Sequence, residues 1–269
     1  MEFRLLGEPQ VDIDGTLVDL GTPKQRVVLV ALVLAEGQPV LIHSLMERVW
    51  EDHPPPSCRN LLATYVSRLR RCLARNVAII HRSGSYVLYS DQDAVDLVRF
   101  RRYTANARRL AGRDDHTALD LYECALALWR GPALAGLPGR WIADAAAYLE
   151  GEYRDVQACR VQALVHLGRY EEAADAASRL VIEFPLDERF TAQLIEAFGA
   201  TGRTSEAIEH YHTLRVRLAN ELGVDPSIEV QESYLRLLRT RPAGSAASVT
   251  TRAGTHHLRM AEARAAAQP

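Results

Sequence analysis

Apolar and polar residues alternate over the first twenty positions, which is the pattern of strands with one buried face. Val11 and Ile13 continue this alternation up to the dipeptide Asp14-Gly15. Asp-Gly favours a two-residue turn between antiparallel strands. The segment 2–20 therefore predicts a small antiparallel sheet.

Three helix-start signals coincide just after this sheet. Thr22 can cap a helix, Pro23 suits its first turn, and Gln25 is placed to complete a capping box. Lys24 and Arg26 lie in the same first turn, where backbone N–H groups are free. A phosphate contact and simple solubility explain these two basic residues equally well.

A second helix is predicted over residues 42–50 and a third over residues 57–73. The second has a weakly marked start, because Leu41 stands where a Ser or Asp cap is expected. Such an absence typically costs about 1 kcal/mol. Residues 51–56 end in three prolines and predict a stiff, partly acidic loop between the two helices.

The third helix has one narrow apolar stripe. Its members are Leu62, Val66, Leu69 and Leu73, so at about 100° per residue they share one face. The same rotation places these polar and cationic side chains on the far side: Asn60, Thr64, Ser67, Arg68, Arg71 and Arg75. A helix of this kind can lie in a major groove, where Arg pairs with guanine and Asn with adenine.

Residues 78–89 predict a hairpin with a cationic tip. Two short apolar strands flank the tip sequence Arg82-Ser83-Gly84-Ser85. A sheet, three helices and a hairpin, in this order, form the plan of a winged helix-turn-helix. The third helix then takes the place of the recognition helix.

Charge is concentrated in the same region. Residues 57–86 contain no Asp or Glu, whereas residues 1–95 as a whole carry 10 basic and 11 acidic groups. The basic residues of the stretch are Arg59, Arg68, Arg70, Arg71, Arg75 and Arg82. Without a carboxylate at i+3 or i+4, these guanidinium groups repel one another unless an anion binds. Taken alone, the stretch fits a solvated surface as well as a nucleic-acid-binding one, and the winged-helix plan of the neighbouring elements favours the second. A phosphate-only binder would not need amide and hydroxyl groups on the same face as the arginines, so base reading explains this mixture better.

From Val95 onward the apolar period is that of helices. The predicted helices cover Val95–Gly112, His116–Arg130, Trp141–Leu167, Tyr170–Phe184, Arg189–Thr201, Ser205–Leu222 and Ile228–Leu238. Gly168 and Gly202 mark two self-similar segments 34 residues apart, which is the tetratricopeptide period. Residues 131–138 interrupt this array, and residues 241–269 are expected to be disordered because of their composition.

Neither a membrane segment nor a catalytic pattern is expected. No apolar run approaches the ~20 residues that span a bilayer, and the N-terminus lacks a signal peptide. We therefore expect a cytoplasmic protein associated with the nucleoid. The four cysteines have no C-x-x-C spacing and are expected to be buried free thiols. No nucleophile, metal-site or phosphate-loop pattern is present, so we expect no enzyme activity, no metal and no cofactor.

Several motifs of the chain are similar to those of the Streptomyces antibiotic regulatory protein (SARP) family. The matching stretches are Thr22-Pro23-Lys24-Gln25-Arg26, Arg59-Asn60-Leu61-Leu62, Tyr65-Val66-Ser67-Arg68-Leu69-Arg70-Arg71, Leu128-Trp129-Arg130-Gly131-Pro132, Leu134-Ala135-Gly136-Leu137 and Leu218-Ala219-Asn220-Glu221-Leu222-Gly223-Val224-Asp225-Pro226. The resemblance implies an OmpR-type winged-helix domain at residues 1–95. It also implies a bacterial transcriptional activation domain of tetratricopeptide-like helices at residues 96–240. The expected fold class is mainly α with a small α+β N-terminal domain.

The same resemblance implies a function and its partners. It points to a sequence-specific transcriptional activator of a secondary-metabolite (antibiotic) biosynthetic gene cluster. Members of the family bind direct repeats near a promoter's −35 region, often as side-by-side dimers, and touch RNA polymerase. The expected partners are double-stranded promoter DNA, RNA polymerase (sigma and core subunits) and a second copy of the chain on DNA.

Each candidate residue has an expected role. The residues expected to face base edges or their flanking phosphates are Asn60, Thr64, Ser67, Arg68 and Arg71. The residues expected to contact the DNA backbone are Lys24, Arg26, Arg59, Arg75, Arg82, Ser83 and Tyr86. Two alternatives are open for the helical region. It either only packs and dimerises, or it also forms a groove for a ligand or partner segment. A rival hypothesis is a helical-repeat scaffold or ligand-sensing protein whose N-terminal domain binds protein instead of DNA.

Overall fold

The computed structural model describes residues 1–73 and 77–240, with only the main chain described at Thr240. Arg75 and the predicted tail at 241–269 lie outside the described residues. The strands are β1 (Glu2–Arg4), β2 (Gln10–Ile13), β3 (Thr16–Leu17), β4 (Val40–Leu41), β5 (Ala78–Arg82) and β6 (Ser85–Tyr89). The helices are α1 (Pro23–Val33), α2 (Ile42–Trp50), α3 (Cys58–Cys72), α4 (Asp96–Leu110), α5 (Asp115–Leu126), α6 (Arg140–His166), α7 (Tyr170–Glu183), α8 (Glu188–Ala200), α9 (Thr204–Glu221) and α10 (Ile228–Thr240). The predicted fold class is confirmed: the described residues are mainly helical, and they form two small sheets in the N-terminal part.

The predicted N-terminal sheet has the strand order β1-β2-β3 and is antiparallel throughout. Ile13 pairs with Thr16 across the turn between β2 and β3. Asp14 and Gly15 occupy that turn with φ of +53° and +85°, the conformation that a two-residue hairpin turn requires.

Helix α1 begins at the predicted position, but its cap is half formed. The hydroxyl of Thr22 accepts a hydrogen bond from the backbone N–H of Gln25 at 3.4 Å. The side chain of Gln25 is buried beside Gly21, and within residues 1–73 and 77–240 its Oε1 has no hydrogen-bond partner. The returning hydrogen bond of the predicted capping box is therefore missing, because this side chain points into the protein.

Strand β4 is not predicted by the sequence pattern, because two residues are too few for an alternation. Leu41 pairs with Ser85, so that β4 joins the predicted hairpin in the strand order β4-β6-β5. The backbone N–H of Ile42, the first residue of α2, donates to the carbonyl of Gly84 at 3.0 Å. The hairpin turn thus gives α2 a hydrogen-bond partner where Leu41 provides no side-chain cap.

The interruption of the helical array is the place where the N-terminal sheet contacts the helical region. Helix α5 ends at Leu126, earlier than the predicted end at Arg130. The reason is that the backbone N–H of Arg130 leaves the helix and donates to the carbonyl of Leu6 at 2.9 Å. Gly7 beside it has φ of +137°, and a Cβ at this position would lie 3.2 Å from the Cβ of Arg130. A glycine therefore permits this close approach.

Asp96, the first residue of α4, fixes the same junction from the helical side. Its side chain is 2% exposed, and its carboxylate accepts hydrogen bonds from the backbone N–H groups of Leu5 (2.9 and 2.8 Å) and Leu6 (3.0 Å). Burial raises the pKa of Asp96, and the N–H groups of Leu6, Leu5 and Leu97 oppose this rise. The N-terminal part and the helical region share one hydrophobic core at this junction. The predicted division of the chain into two domains at residue 95 therefore stays a prediction.

The 34-residue period of the sequence is repeated in three dimensions. Gly168 and Gly202 each follow the end of a helix with positive φ, +72° and +77°. The arginine after each glycine forms an ion pair with a glutamate three residues later, in the pairs Arg169–Glu172 and Arg203–Glu206, both 2.6 Å between Nη2 and Oε2. The alanine after each glutamate, Ala173 or Ala207, is fully buried. Helices α6–α7 and α8–α9 are therefore two copies of one tetratricopeptide-like unit.

Two further expectations concern the whole chain. No helix in the part of the chain that the structure describes combines the length and the apolar character needed to cross a bilayer. All four cysteines are free, as predicted, but Cys124 is exposed and the other three are half-buried.

Candidate nucleic-acid interface

Helix α3 is anchored by its predicted apolar stripe. Leu62, Val66 and Leu69 are at most 1% exposed and contribute to the core formed with α1 and α2. The first turn of α3 carries no acidic residue, and its last turn carries Arg70 and Arg71. The periodicity of the leucines therefore fixes which side of α3 faces outward.

The outward side of α3 presents the side chains that the sequence predicts. Arg59, Asn60, Thr64, Ser67, Arg68 and Arg71 are all exposed. The hydroxyl of Thr64 donates a hydrogen bond to the backbone carbonyl of Asn60 at 2.9 Å. Its oxygen can still accept a hydrogen bond from outside. The face therefore combines guanidinium, amide and hydroxyl groups, as a base-reading helix requires.

The guanidinium groups on this surface are not neutralised by the protein. Within residues 1–73 and 77–240, no ion pair with Asp or Glu involves Arg59, Arg68, Arg71 or Arg82. Elsewhere in the chain many arginines are paired, Arg189 for example with Asp187 and Asp155 at 2.7 Å each. The outward face of α3 is thus an unpaired cationic surface in a protein whose formal net charge is −2.

One arginine of α3, Arg70, makes a contact within the protein. The Nε of Arg70 donates a hydrogen bond to the backbone carbonyl of Ile79, in β5, at 2.8 Å. Ile79 is itself 4% exposed. Arg70 therefore joins α3 to the hairpin, and sequence reasoning did not distinguish it from its neighbours.

The hairpin of β5 and β6 carries the predicted wing residues. Ser83 and Gly84 form its turn with φ of +46° and +76°, and the hydroxyl of Ser85 donates to the carbonyl of Arg82 at 2.6 Å. Arg82 and Ser83 are exposed at the tip. Tyr86 is only 8% exposed, and its ring packs against His81 at a centroid distance of 5.2 Å. Its predicted contact with the DNA backbone remains a prediction.

Lys24 and Arg26 have different surroundings at the start of α1. The Nζ of Lys24 lies 5.7 Å from the ring centroid of Trp50, and that ring stacks on Tyr65 of α3 at 6.1 Å. Lys24 is exposed and is thereby held beside α3. Arg26 lies 3.3 Å from Glu8, measured from Nη1 to Oε1. A contact of Arg26 with phosphate therefore competes with Glu8.

A second set of contacts joins α2 to the helical region. The guanidinium of Arg48 lies 4.7 Å from the ring centroid of Trp141, and burial lowers its pKa. The carboxylate of Glu51, just after α2, accepts a hydrogen bond from the backbone N–H of Arg140 at the start of α6. Glu51 thus caps α6 from outside that helix, which no local sequence signal indicates.

Two family models match the chain. One is the bacterial transcriptional activator domain, over residues 95–238, and the other is the transcriptional regulatory protein, C terminal, over residues 15–88. The first alone covers more than half of the chain. The second includes α3 and almost the whole β5–β6 hairpin.

Similar proteins extend over nearly the full length of the chain. Transcriptional regulatory protein MoaR1 of Mycobacterium bovis is 31% identical over 260 residues, which are 94% of this chain and 84% of that protein. Regulatory protein DnrI of Streptomyces peucetius is 32% identical, over 90% of this chain and 93% of that protein. The structure of Mycobacterium tuberculosis EmbR in complex with a low affinity phosphopeptide superposes with a TM-score of 0.85 at 32% identity. It covers 90% of this chain and 65% of that chain. The chain therefore belongs to the Streptomyces antibiotic regulatory protein family of transcriptional regulators.

Proposed function

We propose that the protein binds double-stranded promoter DNA sequence-specifically, with α3 in the major groove. The observation that carries this proposal is the unpaired cationic surface of α3, which also displays Asn60 and Thr64. In this arrangement the residues that face the bases are Asn60, Thr64, Ser67, Arg68 and Arg71. Backbone contacts come from the remaining basic residues at the margins of this surface and from the wing: Lys24, Arg26, Arg59, Arg75, Arg82, Ser83 and Tyr86. Of these, Arg75 lies outside the described residues.

Residues 1–95 act in this proposal as the DNA-binding domain and residues 96–240 as the activation domain. The matched family models support the division, since one ends at residue 88 and the other begins at residue 95. The contacts of Asp96 with Leu5 and Leu6 hold the two parts together, so the helical region moves to the promoter with α3.

As a regulator of this family, the protein is further proposed to activate a secondary-metabolite (antibiotic) biosynthetic gene cluster. In that role it binds direct repeats near the −35 region as a side-by-side homodimer and recruits RNA polymerase through the sigma and core subunits. The resemblance to regulators such as that of Streptomyces peucetius supports this part of the proposal.

Selection of bound fragments from a genomic DNA library tests the proposal directly. The expected result is a small set of promoter fragments that share a repeated sequence upstream of biosynthetic genes, confirmed by gel shift on single fragments. If the protein retains no fragment above background, while a column of the same protein captures a defined protein partner, the rival scaffold function replaces DNA binding.

A further inference from the structure

Helix α10 packs on the rest of the molecule through one face only. Val230, Ser233 and Leu237 are between 0% and 6% exposed, and they follow one another at helical spacing. Tyr234 stacks on Tyr211 of α9 with ring centroids 3.9 Å apart and an interplanar angle of 4°. These contacts fix the rotation of α10 about its own axis.

The opposite face of α10 exposes large apolar side chains to solvent. Ile228 is 75% exposed, Leu235 48% and Leu238 38%. Ile228 and Leu235 are one heptad apart, Leu238 follows three residues later, and Gln231 occupies the remaining position of the stripe. Single exposed apolar residues are common on protein surfaces. A stripe at heptad spacing is instead the pattern of a helix that contacts another helix.

The charges of α10 select an orientation for that contact. Glu229 and Glu232 lie in its first half, and Arg239 lies in its last turn. If a second copy of α10 packs on the stripe in the antiparallel direction, the acidic half of each helix lies beside the basic half of the other. A parallel pair would place like charges together.

We propose that α10 is a self-association surface, through which two copies of the chain pair antiparallel along Ile228, Leu235 and Leu238 in the absence of DNA. This inference goes beyond the proposed function. The pairing is two-fold symmetric and places the two copies in opposite directions, whereas direct repeats place them in the same direction. It is therefore a different contact from the side-by-side dimer on DNA.

The size of the surface sets the expected strength. With 13 residues, α10 is about 20 Å long at about 1.5 Å per residue. A pair of such helices buries less area than the ~1,600 Å² of a standard interface. We expect a weak, reversible dimer with a dissociation constant on the order of 10 μM to 100 μM.

Sedimentation velocity of the full chain without DNA, from about 1 μM to about 300 μM, tests this surface over the range that such an affinity requires. The wild type is expected to shift from monomer to dimer across this range. The variant Ile228→Gln/Leu235→Gln is expected to dimerise at least about tenfold more weakly, because its stripe is polar. The matched control is Ile182→Gln on α7, where an isoleucine that is 81% exposed lies outside the stripe. It is expected to dimerise like the wild type.

Charge reversal tests the orientation. Glu232→Arg alone is expected to weaken the dimer, and Glu232→Arg/Arg239→Glu to restore it. A wild type that stays monomeric, or an Ile228→Gln/Leu235→Gln variant that dimerises normally, would overturn the proposal. A double charge reversal that fails to restore dimerisation would overturn the antiparallel arrangement. Binding of the same variants to a single DNA site is expected to be unchanged, so the outcome is independent of the DNA-binding proposal.

Discussion

The Nε of Arg70 lies 2.8 Å from the backbone carbonyl oxygen of Ile79, and this hydrogen bond joins α3 to β5, the first strand of the hairpin. The surrounding exposed arginines of α3 contact no carboxylate in the described part of the chain, so Arg70 is the member of this group that serves the fold. It fixes the position of α3 relative to the hairpin, and the proposed binding of both to one DNA duplex depends on that position.

Replacing Arg70 by alanine is expected to destabilise the protein. The change leaves the buried carbonyl of Ile79 without its partner, which typically costs about 1–3 kcal/mol. Arg68→Ala is the matched control on the same helix, and it is expected to change the free energy of unfolding by less than about 0.5 kcal/mol. Urea denaturation followed by circular dichroism measures both. Equal stabilities of the two variants would show that Arg70 is only another surface arginine.

Arg71→Ala is expected to relax sequence preference without destabilising the fold. Loss of one base-reading guanidinium should cost about 1–3 kcal/mol at the preferred site and little at other sites. Selection from a randomised DNA library, run in parallel for wild type and variant, gives the preference at each base position. An unchanged preference at every position would contradict the assignment of Arg71 to base reading.

Asp96→Asn is expected to weaken the junction between the N-terminal sheet and the helical region. The carboxamide has one accepting oxygen, so its NH₂ group would face a backbone N–H donor of Leu5 or Leu6. We expect a loss of about 1–3 kcal/mol in the free energy of unfolding. Asp120→Asn, at an exposed position of α5, is the control for loss of one negative charge. Thermal unfolding curves that coincide for both variants would rule out this role.

The two repeated ion pairs, Arg169–Glu172 and Arg203–Glu206, are expected to make the stability of the protein depend on pH. Hydrogen bonds from Arg169 and Arg203 lower the pKa values of Glu172 and Glu206 below the ordinary 4.5. Since the folded pKa lies below the unfolded one, the stabilisation by each pair is present above about pH 4.5 and is lost as the pH falls through the folded pKa. NMR titration of the side-chain carboxyls should show both pKa values below 4.5, and Arg203→Gln should raise the pKa of Glu206 and leave that of Glu172 low. A Glu206 pKa that stays low in Arg203→Gln would contradict this cause.

The apolar stripe of α3 and the 34-residue repeat could be predicted from the sequence, because each depends on a local period. The contact of Arg70 could not, since nothing distinguishes it from Arg71 until the chain folds back at Ile79. The predicted end of α5 at Arg130 is wrong for a similar reason, because the helix ends at Leu126. Leu128 and Trp129 continue a helical pattern, but a hydrogen bond from Arg130 to Leu6, more than a hundred residues away in sequence, ends the helix.

We propose that the unpaired guanidinium groups on the outward face of α3 bind DNA, and the salt dependence of binding tests this most directly. The measurement is the logarithm of the binding constant for a promoter fragment against the logarithm of salt concentration, for wild type, Arg59→Ala and Arg215→Ala. Arg215 is a helical arginine on α9 that is also exposed. Loss of one phosphate contact should reduce the slope by about 1 in Arg59→Ala, and Arg215→Ala should keep the wild-type slope. Identical slopes for all three proteins would contradict the account.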